Sequence, residues 1–144
     1  MLDDNYFMNL ALQEAQLALA RGEVPVGVVI VANQKVIARA HNLTEVLNDV
    51  TAHAEMQAIT AAANVFGGKY LTDCTLYVTV EPCPMCAGAL RWAQRSRLVY
   101  GASDPKRGYS LMSPYLLHPK TEVTSGVMAN DCSDLMQLFF KQIR

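Results

Sequence analysis

The chain has 144 residues, 51 % of them apolar, and a formal net charge of −1. That size suits one hydrophobic core, and the composition excludes a disordered or low-complexity chain. No run approaches the ~20 apolar residues of a membrane span, and the acidic start MLDDNYFMNL lacks the features of a secretory signal, so one soluble domain over residues 1–144 is expected, in the cytoplasm.

Met8, Leu12, Ala15 and Leu19 recur at helical spacing over residues 4–20, with Asn9, Gln13 and Gln16 on another face. Asp3 or Asp4 can cap this first helix, and Gly22 follows its end. VPVGVVIVANQKVIARA reads as two strands joined by a tight turn at Asn33–Lys35. The first is a nearly unbroken β-branched run, which predicts burial on both faces. TAHAEMQAITAAANVFGG predicts a helix starting at residues 52–54 and stopping at Gly67–Gly68.

TLYVTV is a third strand running straight into Glu81-Pro82-Cys83. A proline is tolerated in a first helical turn, so PCPMCAGALRWAQR predicts a helix opening on the cysteines. RLVYGA gives a fourth strand and TEVTSGVM a fifth. The last segment sets Cys132, Leu135, Met136, Phe139 and Ile143 on one stripe, with Asp131 or Ser133 as cap. Strands alternating with helices after an opening hairpin predict a mixed five-stranded sheet with helices on both faces, a three-layer α/β/α fold.

Charge is uneven. Residues 91–120 carry Arg91, Arg95, Arg97, Lys106, Arg107 and Lys120 against Asp104 alone, together with Trp92, Tyr100, Tyr109 and Tyr115. Such a stretch suits phosphate neutralisation and base stacking, and equally a solvated basic surface.

Of four cysteines, Cys74 and Cys132 stand alone and are expected in the core, while Cys83 and Cys86 form a C-x-x-C. In a reducing compartment such a pair points to metal or redox chemistry rather than a structural disulfide. One turn apart at a helix start, both sulfurs face the same way, and the positive end of the helix favours thiolate. A structural zinc takes four Cys or His ligands, and no second C-x-x-C exists. His53, also at a helix start and at the same expected sheet edge, is the best third ligand. Three protein ligands leave a position for water, the pattern of a catalytic zinc. Glu55, two residues on, points away from the His53 direction and suits proton transfer beside the ion.

Taken singly, each piece has another reading. Cys83 and Cys86 fit a redox pair, His53 a helix cap, and Glu55 a surface carboxylate favoured by the helix dipole. Together, H-x-E followed by P-C-x-x-C is a recognised signature of zinc deaminases and brings its roles with it.

The chain resembles the cytidine deaminase-like superfamily and, within it, the bacterial tRNA-specific adenosine deaminases. The likeness runs through EVPVGVVIV, AHN, TAHAE, TLYVTVEPCPMCAGA, YGASDPKRG and SGVMANDC, in family order. It implies Zn2+ held by His53, Cys83 and Cys86, with Glu55 as proton shuttle. It further implies that Asn42 hydrogen-bonds ribose or base, that Val26, Ala54 and Pro82 wall the pocket, and that Asp104, Lys106 and Arg107 meet the RNA. The implied reaction is adenosine to inosine at the wobble position of an arginine tRNA, in a homodimer. After Gly108 the sequence YSLMSPYLLHPK departs from the family's more Gly- and Ala-containing loop. A deaminase of free guanine, cytosine or cytidine would share every zinc-site residue. A zinc-stabilised binding module would have no use for Glu55, and a thiol–disulfide oxidoreductase none for His53-x-Glu55.

Overall fold

The computed structural model describes residues 1–143. Helix α1 (Asp4–Ala20) opens on Asp3, whose carboxylate accepts from the Tyr6 backbone N–H. Strands β1 (Gly27–Ala32) and β2 (Lys35–His41) follow, paired antiparallel. Asn33 and Gln34 between them both have positive φ, 51° and 65°, the conformation that a two-residue hairpin turn requires.

Helix α2 (Ala54–Phe66) ends on Gly67 in the left-handed conformation, as expected of a glycine stop. Strand β3 (Thr75–Val80), helix α3 (Pro84–Trp92) and strand β4 (Arg97–Ala102) come next. Two short 3-10 turns, strand β5 (Glu122–Thr124) and helix α4 (Ala129–Gln142) complete the order.

The sheet runs β2-β1-β3-β4-β5. β1 is antiparallel to both neighbours, whereas β3, β4 and β5 are mutually parallel. Alternation along β1 feeds two cores. Val28 and Ile30 pack with Ala54, Ala58 and Ala62 of α2 and Ala87 and Leu90 of α3. Val29 and Val31 pack on the other face with Phe7, Met8, Ala11 and Leu12 of α1 and Cys132 of α4. The three-layer expectation therefore holds, with α2 and α3 on one face and α1 and α4 on the other.

Some boundaries differ from the sequence reading. α3 is shorter than expected, with Cys83 as its N-cap and Pro84, not Pro82, in its first turn. The fifth strand keeps only three residues, and α4 begins at Ala129 after Met128 at φ 56°, not at an Asp131 or Ser133 cap. Chain direction decides this start: Gly126 turns at φ 82° and its N–H is tied to the Gly101 carbonyl at 3.2 Å. On α4, Cys132 and Phe139 are buried, while Ile143 at the end of the expected stripe is exposed. Among the described residues no helix is long and apolar enough to cross a membrane.

Candidate metal centre

His53 is the N-cap of α2 and Cys83 the N-cap of α3. Side chains at such positions usually accept from the free N–H groups of the first turn. Neither does so here; both turn instead toward each other across the carboxyl edge of β3. Cys86, one turn into α3 and fully buried, completes the group.

The Sγ atoms of Cys83 and Cys86 lie 3.6 and 3.5 Å from His53 Nδ1, and all three donor atoms fall within 4.8 Å of one another. Zinc bonds of about 2.3 Å to sulfur and 2.0–2.1 Å to nitrogen, at a tetrahedral angle, put N and S ~3.6 Å apart. The donor set thus fits a tetrahedral cation in both chemistry and spacing.

Electrostatics agree. The hydrogen bond with Cys86 brings the Cys83 thiol down to about 4. The same bond, with burial, pushes Cys86 strongly up, so the pair holds one proton that a cation would displace. Its contact with Cys83 raises the His53 imidazole. Glu55, in the first turn of α2, is driven up to about 7, chiefly by burial. A carboxyl balanced near neutrality can both take and return a proton.

Of the other expected site residues, Ala54, the first residue of α2, and Pro82, just before the Cys83 N-cap of α3, are buried and adjoin the ligands in sequence. The Asn42 backbone N–H donates to the Val26 carbonyl at 3.1 Å, which joins these two positions at the end of β2. The Asn42 side-chain Nδ2 donates to Glu23 and Thr44, both at 3.3 Å. Asp104 accepts from the backbone N–H groups of Lys106 and Arg107, each at 3.0 Å, and so shapes its own turn. Lys106 and Arg107 are exposed on that turn.

The basic stretch does not form one patch. Arg97 pairs with Asp4, and Arg91 donates to the carbonyls of Tyr115 and Leu117. Tyr100 and Tyr109 are buried, while Trp92 and Tyr115 remain 79 % and 82 % exposed. Arg95 and Lys120 line a separate cavity of about 410 Å³ with Tyr70, Thr72, Gln94 and His118, beside the amino ends of β3 and β4.

Sequence reasoning missed three buried carboxylates: Glu14, which pairs with His41 and Arg39, and the two glutamates Glu23 and Glu81. Glu23 is fully buried and accepts from the backbone N–H groups of Glu45 and Val46 as well as from Asn42 and Thr44. Glu81 is likewise buried beside the ligand segment. An acid inside GEVPVG or TVEPC was the available signal, because a glutamate in an apolar run is seldom buried without dedicated donors.

A three-layer α/β/α fold whose sheet holds one imidazole, two thiols and a buried carboxylic acid at its carboxyl edge defines the class of zinc-binding deaminases. Residues 1–102 match the family model for the cytidine and deoxycytidylate deaminase zinc-binding region. The tRNA-specific adenosine deaminase of Bacillus subtilis (strain 168) is 43 % identical over 100 % of this chain and 92 % of its own length. A solved structure from work on A-to-I editing by tRNA:A34 deaminases at the wobble position of transfer RNA is 44 % identical. It covers 90 % of this chain and 98 % of that one at a TM-score of 0.83. A Bacillus subtilis guanine deaminase structure is 39 % identical, covering 71 % of this chain and 66 % of that one at a TM-score of 0.67. The chain belongs to the zinc-binding deaminase family and, within it, to the tRNA-specific adenosine deaminases. Its donor set and family fit one Zn2+ per subunit.

Proposed function

We propose that the protein hydrolyses adenosine to inosine at the wobble position, adenosine 34, of an arginine tRNA. The observation that carries this reading is 43–44 % identity to tRNA adenosine deaminases over 90–100 % of this chain, whereas the Bacillus subtilis guanine deaminase structure is 39 % identical over 71 % of it. Release of the amino group from free guanine is the second reading, favoured by 39 % identity to that enzyme.

His53, Cys83 and Cys86 would hold the ion, which when bound supplies Lewis-acid activation of water. Glu55 accepts a proton from the attacking water and delivers it to the ring nitrogen. It then serves the departing amino group, so that water and adenosine give inosine and ammonia. Burial suits this work, since it raises the Glu55 carboxyl and so favours its taking a proton. Asn42 contacts ribose or base, and Val26, Ala54 and Pro82 wall the pocket. Asp104 shapes the turn from which Lys106 and Arg107 meet RNA phosphates. An anticodon loop offers an unstacked base that such a pocket can receive.

The active unit is a homodimer working in the cytoplasm. Exposed Trp92 and Tyr115, on segments tied together by Arg91, supply apolar surface for a second copy. The deciding experiment incubates the zinc-loaded protein with transcribed arginine tRNA and, separately, with adenosine, cytidine and guanine. Inosine confined to position 34 is expected; turnover of guanine or cytidine with unmodified tRNA would overturn the assignment.

A further inference from the structure

Glu81 directly follows the last residue of β3, two residues before Cys83, and is 5 % exposed. Its backbone N–H continues the parallel ladder to the Ala102 carbonyl at 2.8 Å. Its carboxylate then reaches across to the loop that follows β4. Oε1 accepts from the Asp104 N–H at 3.1 Å, and Oε2 accepts from the Ser110 N–H at 3.1 Å and the Ser110 hydroxyl at 2.6 Å. One carboxylate thus holds both ends of the loop carrying Lys106 and Arg107. The adjoining Pro82 carbonyl accepts from the Tyr109 N–H at 2.9 Å, a further tie to the same loop.

No arginine, lysine or histidine among the described residues pairs with Glu81. A buried carboxylate without a cation is tolerated only where donors are already in place, and here the loop supplies them. Gly108 is tied to the same arrangement. A Cβ there would collide with the Glu81 carboxylate, although the backbone of Gly108, at φ −63°, suits any residue. The space is kept clear for the acid rather than for a turn.

We infer that Glu81 is a positioning residue for the RNA substrate, fixing the Asp104–Ser110 loop in register with the ligand segment that begins at Cys83. The inference rests on the RNA reading above. With the loop fixed, Lys106 and Arg107 meet the strand at a set distance from the reacting base. Without it, the same cations remain but must be ordered on binding, which weakens association.

The test compares wild type with Glu81→Gln, in which an amide N–H₂ replaces one acceptor. Zinc content, hydrogen exchange at the Asp104 and Ser110 amides, and kcat and KM on arginine tRNA are measured on the zinc-loaded proteins. Expected are unchanged zinc, faster exchange at both amides, and a KM raised about tenfold with kcat nearly constant, the scale of one lost charge-assisted hydrogen bond. Ser110→Ala removes the hydroxyl contact alone; it should raise KM in the same direction by less, and it carries the test if Glu81→Gln does not fold. An unchanged KM in the variant that folds, or a fall in kcat that tracks lost zinc, overturns the inference. A wild type that makes no inosine in tRNA sinks the functional reading instead, and the amide exchange still reports whether Glu81 holds the loop.

Discussion

The Arg97 guanidinium meets the Asp4 carboxylate fork to fork, with Nη1 and Nη2 each 2.8 Å from an oxygen. The Tyr77 hydroxyl donates to the same carboxylate at 2.8 Å, and Arg97 also donates to Thr124 at 3.1 Å. One ion pair therefore joins α1, β3, β4 and β5. The arginine holds the Asp4 carboxyl below its usual 3.8. A depressed carboxylate stabilises fully above its unfolded value and less as pH falls through the folded one. Asp4→Asn should lower stability at pH 7 by about 1–3 kcal/mol. The gap to wild type in urea unfolding should narrow below pH 3.8 and close once the folded carboxyl is protonated.

Glu55→Ala should retain zinc and lose turnover by about 10²–10⁴-fold, the range of a general acid–base contribution. Metal analysis and inosine formation on the same sample separate the two effects. A near-normal rate with zinc bound would remove Glu55 from the chemistry.

Cys86→Ala should lose zinc, because it deletes a buried donor 3.5 Å from His53 Nδ1. Chelation should lower the melting temperature of wild type and leave that of the variant unmoved, since binding energy at such sites is also folding energy. A chelator-sensitive variant would show that the ion is held elsewhere.

Arg91, Lys106 and Arg107 are all exposed, but only Arg91 is tied down, donating to the Tyr115 and Leu117 carbonyls. Lys106→Ala should weaken RNA binding and reduce the salt slope by about one phosphate contact. Arg91→Ala should leave that slope unchanged and lower thermal stability. Binding isotherms between low and moderate salt distinguish the two.

Gly27→Ala should destabilise by about 2–4 kcal/mol, as for overpacking against backbone that cannot move aside. The added Cβ would collide with the Ala11 carbonyl and the Ala15 amide of α1. Thermal unfolding checks it, and a variant as stable as wild type would mean that α1 can lift from β1.

Much of this was legible in the sequence because the relevant signals are local. The β-branched run of β1, the Asn33–Gln34 turn and the Gly67 stop each follow from a few neighbouring residues. That His53, Cys83 and Cys86 would come together was legible because so few residue types can hold zinc. The start of α4 was not, since Asp131 is the better cap by type and the Gly126 contact with Gly101 of the neighbouring strand β4 decides instead. Nor was the division of the basic stretch, because Asp4 lies 93 residues from Arg97 in sequence. The buried acids Glu23 and Glu81 take their donors from loops 22 to 29 residues away, beyond any periodicity.

His53 and Cys83 both forgo the bond that would ordinarily close their helix starts. A single cation would therefore act as a shared stopper for two helices distant along the chain. Stripping it should loosen the opening coils of α2 and α3 together, before the sheet beneath them responds. Metal starvation would then blunt the catalyst by unravelling its rim, with the scaffold left ready to be reloaded.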